Sequence, residues 1–103
     1  MRILILALLF SVFSYGQNIT TVHFNYKWNE NNTYRGLDRL KGSKVQYAFV
    51  EDQSDAIKKS IKSVPTIMIY KDSRPVAKFE AGLTMEITIR LDSIQAVINK
   101  HKR

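Results

Sequence analysis

Hydrophobic and polar positions alternate along two stretches of this chain and recur at helical spacing along others. From Thr20 to Tyr26, Val22, Phe24 and Tyr26 fall on one side, and Thr21, His23 and Asn25 on the other, which is the period of a strand. Lys44 to Glu51 alternates again through Val45, Tyr47 and Phe49. Ile67-Met68-Ile69-Tyr70 is a short unbroken apolar run, typical of a strand buried on both faces. Lys71 to Arg74 turns the chain and Pro75 to Glu80 returns it. A proline there suits a strand end or a sheet edge, because it has no N–H to give to a ladder.

Helices are predicted in three places. Asn32 or Thr33 can cap a short one whose Tyr34, Leu37 and Leu40 are spaced by three, with Gly42 at its end. Ser54 and Asp55 open a second, with Ile57 and Ile61 on one face and Lys58, Lys59 and Lys62 pointing away. Thr84 and Glu86 start a third, along which Ile87, Leu91, Ile94 and Ile98 form an amphipathic stripe. Lys100, His101, Lys102 and Arg103 finish it where the helix dipole favours positive charge. The order strand, helix, strand, helix, strand, strand, helix predicts an α/β domain: a central mixed sheet with helices on both faces.

The first sixteen residues read differently. Arg2 precedes an apolar run from Ile3 to Phe13, broken only by Ser11, and Ser14-Tyr15-Gly16 offers a small-x-small cleavage pattern. A run of about eleven residues falls short of the roughly 20 that span a bilayer. The expectation is a secretory signal over residues 1–16 and one domain over 17–103. The product would be exported to a periplasm or the exterior, with no stable membrane anchor after cleavage. The 87 residues that remain lose only Arg2 from the charge count and carry a formal +6.

Composition removes several kinds of chemistry. A domain of this size buries only roughly 60–65% of its unfolded surface, and small exported domains often add disulfides for that reason. This chain has no cysteine. Stability must come from packing and hydrogen bonds, and a Cys-ligated metal or cysteine nucleophile is excluded. His23 and His101 stand far apart and the carboxylates show no ligand spacing, so no metal site and no cofactor are predicted. His23 also lacks a catalytic partner at recognisable spacing, and Glu30 among asparagines reads as part of a polar turn. The lysines divide between the second helix and the tail without interleaved aromatics. The net charge therefore reads as a solvated basic face, and nucleic acid is not expected as a partner.

Three local stretches carry a resemblance. Val22 to Trp28 runs into Asn29-Glu30-Asn31-Asn32; Ser63-Val64-Pro65-Thr66 precedes the apolar strand; and Ile67 to Lys71, the turn, Phe79 to Leu83 and the last helix follow. Together they resemble the thioredoxin-like family, whose active site is a Trp-Cys-x-x-Cys motif between a strand and a helix. The resemblance covers essentially all of residues 17–103 and implies a thioredoxin-like fold. By it, Trp28 matches the Trp that flanks the active-site loop, and Asn29 and Asn32 occupy the two cysteine positions. Pro65 matches the family's cis-proline, and His23 stands where the family often has a buried acid. Thiol–disulfide exchange needs a thiolate to attack a disulfide sulfur, which a carboxamide cannot do. The resemblance thus implies a redox-inactive member that is not an oxidoreductase.

What survives the loss of cysteine is binding. In the family, the groove beside the cis-proline holds an extended peptide by strand-like hydrogen bonds, and strand addition needs no thiol. Carried over, Trp28, Asn29, Asn32, Val64 and Pro65 would frame that groove, with the asparagines offering side-chain hydrogen bonds. The expected function is a non-catalytic protein- or peptide-binding module, adaptor or chaperone-like. The alternative is a structural or assembly component that uses the fold as a compact body with a basic contact surface.

Overall fold

Strands form at all four places where the pattern asks for them: β1 (Ile19–Asn25), β2 (Lys44–Phe49), β3 (Thr66–Lys71) and β4 (Arg74–Glu80). The computed structural model describes residues 18–102, and the expected signal segment over residues 1–16 lies outside them. The strands make one sheet in the order β2-β1-β3-β4. β1 runs parallel to β2 and antiparallel to β3, and β3 pairs antiparallel with β4, so the sheet is mixed. Asp72 and Ser73, with φ of 50° and 75°, make the tight turn between β3 and β4. Positive φ at both central residues matches the right-handed twist of a hairpin.

The period-2 pattern sends alternate residues of β1 and β3 into two separate cores. Val22 and Phe24 pack with Val50, Ile61 and Val64 on one face. Ile19, Ile67 and Ile69 pack with Leu37, Leu40, Ile94 and Ile98 on the other. The first face is covered by α1 (Asp55–Ser60) through Ile57. Ser54 caps that helix, its hydroxyl accepting from the Ile57 N–H at 3.3 Å. The second face is covered by α2 (Leu91–His101), whose Ile94 and Ile98 are fully buried. Burial of each such side chain contributes about 1.5–3 kcal/mol. Every residue of β1 is buried, which makes this strand the spine of the fold.

Three elements depart from the sequence-based expectation. The helix predicted after Asn32 does not form; a short 3-10 segment, Leu37–Arg39, stands in its place, and another, Lys27–Asn32, precedes it over the polar loop. Gly36 between them has a φ of 94°, a left-handed conformation that interrupts any helix. The polar side chains nearby also bond locally, as when the Thr33 hydroxyl donates to the Glu30 carbonyl at 2.6 Å, and such bonds compete with helix. Leu37 and Leu40 are buried all the same, because an i, i+3 spacing suits a three-residue turn as well as a helix. The last helix starts at Leu91 rather than near Thr84, and Met85 with φ of 61° lies in the irregular segment before it. β2 ends at Phe49, where Val50–Asp52 turns as a further 3-10 segment. The observed order is therefore strand, strand, helix, strand, strand, helix, still with a helix on each face.

Candidate functional site

Where β1 ends, the chain turns through Tyr26 into the first 3-10 segment and carries the Trp28 indole outward. Trp28 is 64% exposed and stacks on Tyr26, with centroids 5.8 Å apart and planes 14° from parallel. Opposite it, the chain enters β3 through the Val64–Pro65 peptide bond, which is cis. The Ala81 N–H donates to the Pro65 carbonyl, and the Ser63 hydroxyl donates to the Ala81 carbonyl, both at 3.1 Å. Those two bonds draw the segment after β4 alongside Val64. A groove of about 350 Å³ lies between, lined by Tyr26, Trp28, Lys62, Val64, Leu83 and Met85 among others. The exposed large hydrophobic residues among the described ones are Trp28, Tyr47, Leu83 and Met85, and all but Tyr47 line this groove. Exposed apolar side chains scattered singly need no explanation, but a converging set marks an interaction site.

Beneath the groove sits Asn29, only 5% exposed. Its amide nitrogen lies 3.1 Å from Asn25 Oδ1 and 3.4 Å from both the Val64 and the Met85 carbonyl oxygens. Two protons are thus shared among three acceptors on three separate segments. The Asn29 side-chain oxygen accepts from Asn32 Nδ2 at 2.9 Å, and its backbone carbonyl accepts from Asn25 Nδ2 at 2.9 Å. The polar groups of the Asn29 side chain are thus satisfied internally.

The five residues expected at the groove are therefore distributed unequally. Trp28 and Val64 line it; Asn29 forms its polar underside; Pro65 is buried and shapes the wall; and Asn32 faces a neighbouring hollow with Tyr34 and Glu86. The Asn29 amide is engaged within the protein, while half-buried Asn32 spends one of its amide protons on Asn29. Leu83 and Met85 were not anticipated, because Gly82 to Glu86 reads as the approach to a helix. The available signal was a leucine directly after a glycine in an otherwise polar stretch.

A second hollow, of about 300 Å³, opens on the other side of the first 3-10 segment over His23, Asn25, Tyr47 and Phe49. Its polar floor is already used. His23 is 2% exposed, and its Nε2 accepts from the Tyr34 N–H at 3.0 Å. Burial lowers the imidazole pKa from 6.5 to about 4, with a backbone hydrogen bond opposing the shift only partly. The ring is neutral at pH 7 and its acceptor nitrogen is occupied, so it is a structural acceptor rather than a base. Among the described residues no group of three His, Asp or Glu side chains could hold a metal ion.

Solved structures share this architecture. A thioredoxin from Nicotiana alata superposes with a TM-score of 0.66 over 95% of this chain and 85% of its own, at 17% identity. The Fasciola hepatica thioredoxin gives 0.64 over 94% and 91%, also at 17% identity. A mutant thioredoxin from Halobacterium salinarum gives 0.64 over 92% and 83%, at 14% identity. The fold is the thioredoxin fold. No family model matches the sequence, and no curated protein aligns with it. At these identities the likeness concerns the backbone alone. On this thioredoxin fold there is no cysteine anywhere in the chain, and Asn29 ties together the segments that meet at the groove.

Proposed function

We propose that this chain is an exported, non-catalytic thioredoxin-fold module that holds an extended segment of a partner protein in the groove beside Pro65. The observation that carries the reading is the convergence of Trp28, Leu83 and Met85, exposed and apolar, on one groove at the sheet's end. Strand addition relies on main-chain hydrogen bonds for affinity and on side-chain pockets for selectivity. The Val64 N–H, which has no partner among the described residues, is the donor we assign to the first. The apolar walls supply the second. With a carboxamide at the position of the attacking thiol, the module holds its partner without exchanging bonds with it.

Site-specific photocrosslinking in the exporting cell tests the reading. A crosslinker replacing Leu83, which is fully exposed, should yield a discrete adduct that disappears when Trp28 is changed to alanine. A crosslinker at Lys59, on the exposed face of α1, should not. Adducts from Lys59 alone would favour the other reading, a structural component that makes contact through its basic surface.

A further inference from the structure

Polar groups border the groove along with its apolar walls. Four carbonyls around it are already taken by internal donors. Val64 and Met85 accept from the Asn29 amide at 3.4 Å. Ala81 accepts from the Ser63 hydroxyl at 3.1 Å, and Gly82 from the Met85 N–H at 3.0 Å. Other polar groups are open: the Lys62 and Leu83 carbonyls have no donor among the described residues. Among the described residues the Val64 N–H, the Trp28 indole N–H and the Lys62 ammonium have no hydrogen-bond or ion-pair partner. Lys62 is the only ionisable Lys, Arg, Asp or Glu in the lining, and Lys58 and Lys59 stand exposed on the adjoining α1. With an apolar residue at position 29, two of those carbonyls would lack their donor.

We propose that the groove selects an acidic extended segment, one in which carboxylate side chains alternate with apolar ones. The inference rests on the groove reading above and specifies its occupant. An incoming strand places alternate side chains on opposite sides. The apolar set lies against Trp28, Leu83 and Met85, while a neighbouring carboxylate meets the Lys62 ammonium. Lys62, with Lys58 and Lys59 nearby, favours a carboxylate over a cationic side chain at that edge of the groove. Charge complementarity of this kind sets selectivity and on-rate more than raw affinity, and it weakens with added salt.

Trp28 is the chain's single tryptophan and lines the groove, so its emission reports occupancy directly. The protein is titrated with three blocked hexapeptides in which valine alternates with glutamate, glutamine or lysine. The glutamate peptide should bind about tenfold more tightly than the lysine peptide, with the glutamine peptide between them. Lys62→Glu should abolish or reverse that order with an unchanged far-UV circular dichroism spectrum. Leu83→Ser should weaken all three peptides alike. Equal affinity for the glutamate and lysine peptides, or preference for lysine, would overturn the acidic selection and leave the groove reading standing. Failure of every peptide to move the Trp28 emission would overturn both.

Discussion

Asn29 illustrates how much one side chain can organise when its amide is buried beside carbonyls of three separate segments. It links the end of β1, the turn before β3 and the segment leading to α2, through Asn25, Val64 and Met85. A cysteine at this position would offer one weak donor in place of two good ones. Removing the amide leaves buried acceptors unpaired, and each such loss costs about 1–3 kcal/mol. Asn29→Ala should therefore lower the free energy of unfolding by roughly that amount, with a reduced urea midpoint and an unchanged slope. An unfolding curve indistinguishable from the parent's would mean that the three long contacts contribute nothing. None of this was legible beforehand. The sequence places an asparagine at a loop position, and only the fold brings Val64 and Met85, remote in sequence, within its reach.

The elements show which patterns can be read and which mislead. β1 and β2 were legible because period 2 is satisfied by little else, and β3 as an unbroken apolar run; β1 and β3 each divide their side chains between the two cores. The i, i+3 spacing of Tyr34, Leu37 and Leu40 was ambiguous, and Gly36 decided it against a helix. Ile87 shares a helical stripe with Leu91 but also alternates with Thr88, Ile89 and Arg90, and the alternation prevails. Ile87 and Ile89 are half-buried while Glu86, Thr88 and Arg90 are exposed. The Tyr34 hydroxyl then fixes that segment by donating to the Ile89 carbonyl at 2.6 Å. The first 3-10 segment carries its own prediction. Side chains at i and i+3 eclipse in such a turn, and Asn32 Nδ2 lies 2.9 Å from Asn29 Oδ1. A disulfide needs Cβ atoms about 3.5–4.5 Å apart. The double substitution Asn29→Cys, Asn32→Cys should oxidise intramolecularly under mild conditions, read as protection from alkylation by mass spectrometry. A folded double variant whose thiols stay reactive would show that this turn does not bring the two positions face to face.

At the scale of the whole molecule, stability depends on a cysteine-free domain keeping two thin cores closed on a four-stranded sheet, and His23 makes that stability sensitive to acid. The ring lies at the centre of β1 on the α2 face, with its Nε2 accepting from the Tyr34 N–H. It stacks at a tilt on Tyr47, centroid to centroid 5.3 Å. The unfolded chain takes up a proton here near pH 6.5, whereas burial holds the folded ring neutral down to about 4. Between those values the unfolded state binds more protons, so stability falls as the pH is lowered and is recovered as it rises. Above about 6.5 the neutral ring is common to both states and the contribution is complete; below about 4 the loss has reached about 3 kcal/mol. A global transition is needed to expose a residue buried this deeply, so the effect should appear in the midpoint of cooperative unfolding rather than in local fraying. His23→Gln places a non-titrating carbonyl near the position of Nε2, where it can still accept from the Tyr34 N–H. Above pH 7 the substitution should cost some packing and little else. As the pH falls from 6.5 to 4 the gap between parent and variant should close, and it can reverse once the parent is carrying the full protonation penalty. Parallel stability curves for the two proteins across that window, measured by urea unfolding at fixed ionic strength, would show that His23 does not set the acid sensitivity of the fold.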